Sequence, residues 1–376
     1  MGVPRIIYRN LLHIAGAVMV PSSEETGLAR QALLRPHISD VLRFKRSWDI
    51  RTGENDRLDF EEQDPDPPNN WEPRAALLSA ANYASAAAAA AEVTTKMNAA
   101  AGAFNTYSVT RDGGTGKYSI ARTAGAANFR LPFATGPNLA RSVHPDIGFA
   151  SADVSGLTTY EASAAAYQSR RTVNVDVGSA QALAVGITLG HNVTPAGTIR
   201  LDAHASTMVG VGLGAAVDFS QALPGTDLRL LYFASLSKRY LRLMIQDVQN
   251  SLGYIDVGMW FAGPYLDLPG FQVDVTDARA GLSRVIYALG GAHHQLRRGT
   301  RKVWRLVAHK IDAAKKAELD AFNDYARAGG AFFFTFDSDD PASTRYVFME
   351  SEIVFESVES DPVTWNVALE LLEVMG

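Results

Sequence analysis

Between residues 172 and 263 the chain alternates apolar and polar side chains again and again and closes each run at a turn, a pattern that half-buried strands satisfy. Val173, Asn174, Val175, Asp176 and Val177 end at Gly178, residues 184–189 form a second run closed by Gly190, His191 and Asn192, and residues 198–203 form a third. Within residues 239–245, Leu241, Leu243 and Ile245 share one face, and residues 254–263 repeat the device. One face must lie on a core and the other on solvent, which predicts a layer of an antiparallel sandwich and excludes a buried parallel sheet.

At 376 residues the chain is long enough for two or three domains. Its 47% hydrophobic and 20% charged residues exclude a wholly disordered chain. A formal net charge of −5 argues against a general polyanion-binding protein. Cysteine is absent, so disulfides and thiolate metal sites are excluded, in keeping with assembly in a reducing cytoplasm. Arg5 and Arg9 precede an apolar run from Leu11 to Val20 that superficially resembles a signal peptide, but the run is short, contains His13 and lacks a small-x-small cleavage site, so export is disfavoured. No apolar run reaches the ~18 residues of a membrane span.

The pattern divides the chain in three. Residues 10–12, the run to Val20 and residues 41–44 read as opening strands of the sandwich, giving it residues 1–60 and 169–265. Residues 61–168 read as an inserted α+β domain. It opens on the loop 64–70, where Pro67 and Pro68 cannot continue a ladder, and an alanine-rich stretch over 75–101 then predicts a helix ending at Gly102. Strands at 106–110 and 117–121 flank a glycine-rich hairpin turn, and residues 129–133 and 147–149 complete the unit. Pro264 and Pro269 introduce a C-terminal α+β domain, residues 266–376, with a strand at 303–309 and a helix N-capped by Asp312 that carries Leu319, Phe322 and Ala326. Further strands are expected at 331–337, 345–350, 352–357 and 365–374.

The chemical motifs mostly have bland readings. Gly114, Thr115, Gly116 and Lys117 join two strands and lack the residues a phosphate-binding loop needs at Arg111 and Tyr118. Gly210, Gly212 and Gly214 fit a dinucleotide-type spacing, yet Pro224 and Gly225 break any long helix after them, which leaves a flexible loop. His293, His294 and His309 have no carboxylate at ligand spacing, so no metal is expected. Arg297, Arg298, Arg301 and Lys302 form the one dense basic cluster, read as a hairpin tip that is solvated or that faces a ring lumen or a neighbouring subunit. Neither a nucleophile elbow nor paired carboxylates are present; the expectation is a protein that is not an enzyme and holds no cofactor.

On these residues a resemblance can be stated. Residues 173–180 resemble the first core strand of discoidin (F5/8 type C) domains, Arg239, Tyr240, Leu241, Arg242 and Leu243 resemble a second, and residues 255–259 the closing one. Similar modules in phage and prophage tail proteins carry Gly190, His191 and Asn192 in the turn, as here. Residues 96–100, 107–110 and 116–120 are similar to small units of tail and flagellar proteins, and Ala331 to Phe334 with the terminal strand resemble the tail-tube-like domain of distal tail proteins. The resemblance implies a mainly-β chain: a discoidin-like jelly-roll β-sandwich with a small α+β insertion, followed by a C-terminal α+β tail-tube-like domain. It implies a structural component of a siphophage-like tail tip, assembled in the host cytoplasm. This would be a homo-oligomeric ring, a hexamer ahead of a trimer, contacting the tail tube protein, other tail-tip proteins and host surface glycans. Alternatives are a glycan-binding module of the tail and, behind it, a carbohydrate-active enzyme. In the loop region where such sandwiches bind ligands stand Arg43, Phe44, Arg46 and Trp48, expected to touch glycan or partner, although the insertion follows directly and can cover them.

Overall fold

A computed structural model describes residues 3–13, 17–21, 41–45, 48–100, 102, 104–166, 170–208, 210–252, 254–287, 293–328, 330–358 and 361–373, with the backbone alone for residues 45, 272–301 and 361–362. The protein is mainly β, built from curled antiparallel sheets, as the alternating sequence requires.

The alternating segment forms one curled sheet in the order Phe219–Ala222, Thr198–His204, Leu228–Gln246, Arg171–His191, Tyr254–Gly263, Leu42–Lys45, with Val18–Pro21 also paired to Arg171–His191. Its core gathers the residues the pattern marks, among them Val173, Val175, Leu201, Leu241, Leu243, Ile245 and Val257, around Trp260. Two expected strands, 173–178 and 184–189, are in fact one. Gly178, at φ +81°, lies where the register shifts between Asp176 and Gln181, so the strand bends at a bulge instead of ending. Asn10, Leu11 and Leu12 are not a strand: Leu11–His13 is a 3₁₀ turn, and the Asn10 amide ties it to the sheet by donating to the Trp260 carbonyl and accepting from Ala262 N–H.

A second core joins four strands (Val154–Ser155, Phe129–Leu131, Arg57–Gln63, Trp71–Leu77), three strands (Thr159–Glu161, Tyr118–Gly125, Asn105–Arg111), the pair Trp48–Ile50 with Ala81–Tyr83, and helix α1, Ala86–Ala100. The expected helix over 75–101 is therefore only its second half. Ala75 and Ala76 pair opposite Asp59 and Leu58, and Ala76 is fully buried; pairing with Arg57–Gln63 overrides alanine's intrinsic helix preference. The expected boundary at 60/61 falls inside the strand Arg57–Gln63.

The third sheet runs Leu266–Asp267, Arg5–Ile7, Phe332–Thr335, Thr344–Met349, Asp361–Glu373, His293–Ile311, Gln272–Tyr287, with Val354–Val358 also on Asp361–Glu373. Helix α2, Ala313–Arg327, covers it with Leu319, Phe322 and Ala326, and the Asp312 carboxylate caps the helix by accepting from Lys315 N–H at 2.7 Å. Residues 5–7 thus belong to the C-terminal sheet, with Ile6 opposite Phe334, and not to the sandwich.

Candidate functional site: a basic two-stranded ribbon

The C-terminal sheet is incomplete on one side. His293–Ile311 pairs with Asp361–Glu373 from Val303 onwards, whereas Arg279 to Tyr287 and His293 to Lys302 pair, among the described residues, only with each other. Ten residues at about 3.3 Å each make a ribbon roughly 30 Å long. An isolated two-stranded ribbon is marginal in water, and among the described residues neither of its outer edges has a strand partner. Residues 279–302 contain six Arg or Lys (Arg279, Arg284, Arg297, Arg298, Arg301, Lys302) and no Asp or Glu, which leaves the remainder of the chain at a formal −11. The basic cluster lies along the ribbon rather than at a hairpin tip: Arg301 is opposite Ala280, Lys302 opposite Arg279 and Arg297 opposite Ser283.

The other predicted contact residues do not gather into a binding surface. Phe44 is fully buried in the sandwich core, and Trp48, 3% exposed, packs edge-on to Tyr118 in the second core. Both were expected to meet ligand; instead their apolar area lies inside the protein, Phe44 among the strands of the sandwich itself and Trp48 against the insertion. Arg43 remains at the surface, donating to both carboxylate oxygens of Asp256 at 2.7 Å and stacking 3.9 Å from the Tyr254 ring. Arg46 lies outside the described residues.

A cleft of about 310 Å³ opens instead beside the short edge strand Val18–Pro21, lined by Val18, Val20, Asp176, Thr207, Met208 and Tyr240. Val18 and Val20 are 58% and 44% exposed. Arg239 donates to both oxygens of Asp176, at 2.7 and 2.9 Å, and its guanidinium lies 4.9 Å from the Tyr240 ring. A second cleft, about 440 Å³, lies between α1 and Val109, Thr110 and Arg111.

Sequence reasoning missed a layer of buried charge between sandwich and insertion. Arg171 Nη1 donates to Asp49 Oδ2 at 2.6 Å, with both side chains nearly inaccessible. Arg170 donates to Asp146 from its backbone N–H, Nε and Nη2 at 2.8–2.9 Å. Arg242 donates to Asn174 and to the carbonyls of Met208 and Val211, and stands 3.8 Å from Glu54. Burial pushes the Asp146 carboxyl up, but Arg170 outweighs it and holds the group below the usual carboxylate range. His144 stacks on Phe133 between the hydroxyls of Ser142 and Ser151 (2.7 and 3.0 Å); burial, helped by Arg170, lowers its pKa to about 4. The run 210–214 is a docked loop rather than a free one. A Cβ on Gly212 would sit 2.5 Å from the Ala140 carbonyl, and Gly214 N–H donates to that same oxygen at 2.9 Å.

Among the described residues no group of three or more His, Cys, Asp or Glu could hold a metal ion, and no helix is long and apolar enough to cross a membrane. No family model and no curated protein matches the chain. Solved structures similar to it include a GH29 fucosidase of Ruminococcus gnavus in complex with fucose (7% identity, 27% of this chain and 19% of that chain, TM-score 0.21). Others are a CBM32 module of Clostridium perfringens in complex with GalNAc-β-1,3-galactose (9%, 25% and 66%, 0.18) and the mavirus penton protein (9%, 99% and 91%, 0.23). The matched segment thus spans about a fifth of the fucosidase. These scores are too low to establish a shared fold.

Proposed function

We infer that this chain is a structural subunit of a phage-like tail tip, forming a ring that joins the tail tube to the host-recognition apparatus. The observation that carries the reading is the two-stranded basic ribbon. It leaves a sheet whose other strands are held on a helix-covered core, and it has backbone edges to complete. A cyclic arrangement of copies completes such edges without leaving a free one. The placement in a tail tip comes from the sequence resemblance of the C-terminal and sandwich segments. The sandwich and insertion would then project outwards, in a virion, with tail tube and other tail-tip proteins as neighbours and no catalytic role. Electron microscopy and mass measurement of the purified protein test this: closed rings with a central hole, six subunits ahead of three, are expected, and a monomer at every concentration contradicts it.

A second reading, recognition of host glycans, is favoured by the cleft at Val18, Val20 and Tyr240, where an aromatic ring stands beside a paired carboxylate and guanidinium. Sub-micromolar binding to a glycan array, lost in Tyr240→Ala, would move this reading to first place.

A further inference from the structure

The ribbon has a counterpart on the same chain. Residues 346–376 contain seven Asp or Glu (Glu350, Glu352, Glu356, Glu359, Asp361, Glu370, Glu373) and no Lys, Arg or His. The C-terminal sheet therefore segregates its charge, with six cations and no anions in the ribbon segment and the reverse in the segment that ends the chain.

Topology offsets the ribbon from the far end of the acidic segment. The ribbon begins where Val303 meets Leu372 and runs away from the sheet, whereas Glu356 pairs its backbone with Asn366, six residues along the same strand in the opposite direction. At about 3.4 Å per residue that offset is roughly 20 Å, and the ribbon lengthens it. Glu350, Glu352 and Glu356 are all exposed and step along this strand, Glu350 N–H donating to the Glu370 carbonyl near the base of the ribbon and Glu356 standing at the far end, with Val354, opposite Ala368, between them at 58% exposure. Among the described residues Glu352 pairs with Arg327, at 3.2 Å, on side chains more than half exposed, a pairing worth little in water.

We propose that the acidic surface formed by Glu350, Glu352 and Glu356 with Val354 is the docking site for the basic ribbon of a second copy of this chain. This rests on the ring reading and specifies its contact. Complementary surfaces, one projecting beyond the sheet and one along its last strand, join head to tail, the heterologous geometry that closes into a ring when the rotation per subunit permits. The occupant is a second copy because both halves belong to one chain and their charges are complementary, six cations and no anions in the ribbon segment against three exposed carboxylates. Electrostatic complementarity also fixes register and disfavours acid-to-acid or base-to-base contacts.

A charge-exchange experiment on the full chain decides it. One variant reverses the ribbon (Arg297→Glu, Arg298→Glu, Arg301→Glu, Lys302→Glu), another the acidic surface (Glu350→Lys, Glu352→Lys, Glu356→Lys). A third, milder set with Gln at the three acidic positions serves if reversal impairs folding, as judged by thermal unfolding. Self-association is followed by sedimentation velocity against protein and salt concentration. Each reversal should weaken self-association about tenfold or more, and mixing the two reversed proteins should restore assembly. Raising the salt should weaken the wild type. An acidic-surface variant that assembles like the wild type overturns the proposal while leaving the ring reading intact. Charge-dependent open chains or dimers in place of rings would support the contact and overturn the ring. Ribbon reversal that leaves assembly intact but abolishes retention of DNA would assign the ribbon to nucleic acid instead and sink the contact.

Discussion

The sandwich meets its two neighbours in opposite ways. Against the insertion it presents charge: Arg171 to Asp49, Arg170 to Asp146, Arg242 to Asn174 and Glu54. Against the C-terminal sheet it presents hydrocarbon: Val185, Ile187, Leu230, Met259 and Phe261 pack on Ile7 and Phe333. At that second seam Arg5 lies between the rings of Tyr232 and Tyr265, at 4.4 and 4.1 Å, and donates to Asp267 at 2.7 Å. Buried pairs stabilise only while both partners are present and charged, whereas apolar contact is indifferent to pH. The seam with the insertion therefore depends on charge and pH far more than the seam with the C-terminal sheet, which carries the ribbon.

The contrast can be broken most sharply at Asp49. Asp49→Ala leaves the Arg171 guanidinium buried without its carboxylate, and should cost about 3–5 kcal/mol in denaturant unfolding; a cost under about 1 kcal/mol would show the ionic seam to be ornamental. Acidification comes next. His144 and His191 are both lowered to about 4 by burial, with Arg170 and Arg229 adding to it, below the unfolded value of about 6.5. Their neutral forms therefore favour the folded state fully above pH ~6.5, and that contribution drains away as the pH falls towards 4. The loss should be on the order of 3 kcal/mol in all, discounted for partial solvent screening. Unchanged stability between pH 7 and 4.5 would contradict this. The smallest effect belongs to the apolar seam: Ile187→Val should cost about 0.5–1.5 kcal/mol, the same at pH 7 and pH 5, and a pH-dependent cost would erase the distinction between the seams.

The sequence made legible whatever a single period of two determines. The strands expected at 198–203, 239–245 and 254–263 with their inward residues, the hairpin strands at 106–110 and 117–121, and the Asp312-capped helix all appear, residues 239–245 as the end of a longer strand, Leu228–Gln246, whose first half the sequence did not announce. It did not show what covers the outward face. Arg171, Asn174, Asp202 and Arg242 occupy polar positions of the alternation and read as solvated, yet all are buried because the insertion and the 210–214 loop lie on them. The glycines of that loop were the available signal, since Gly212 and Gly214 are needed for close approach to Ala140. Ala75 and Ala76 misled for a related reason: intrinsic preference names a helix, and a partner strand elsewhere in the chain decides otherwise. Trp48 and Phe44 read as surface aromatics in the sequence because nothing local distinguishes a ligand platform from a core residue, yet both are buried. The ribbon was legible as charge but not as architecture, since pairing partners of residues 279–302 are set by where Asp361–Glu373 ends.

The central claim is that residues 279–287 and 293–302 complete their backbone pairing on another copy of the chain. Hydrogen exchange of those amides, measured by mass spectrometry across a concentration series, tests it most directly. Fast exchange in dilute protein and protection that grows with concentration, while Val173 to Val177 stay protected throughout, is the predicted result. Full protection of the ribbon in the dilute monomer, or exchange that stays fast in the most concentrated sample, would contradict it.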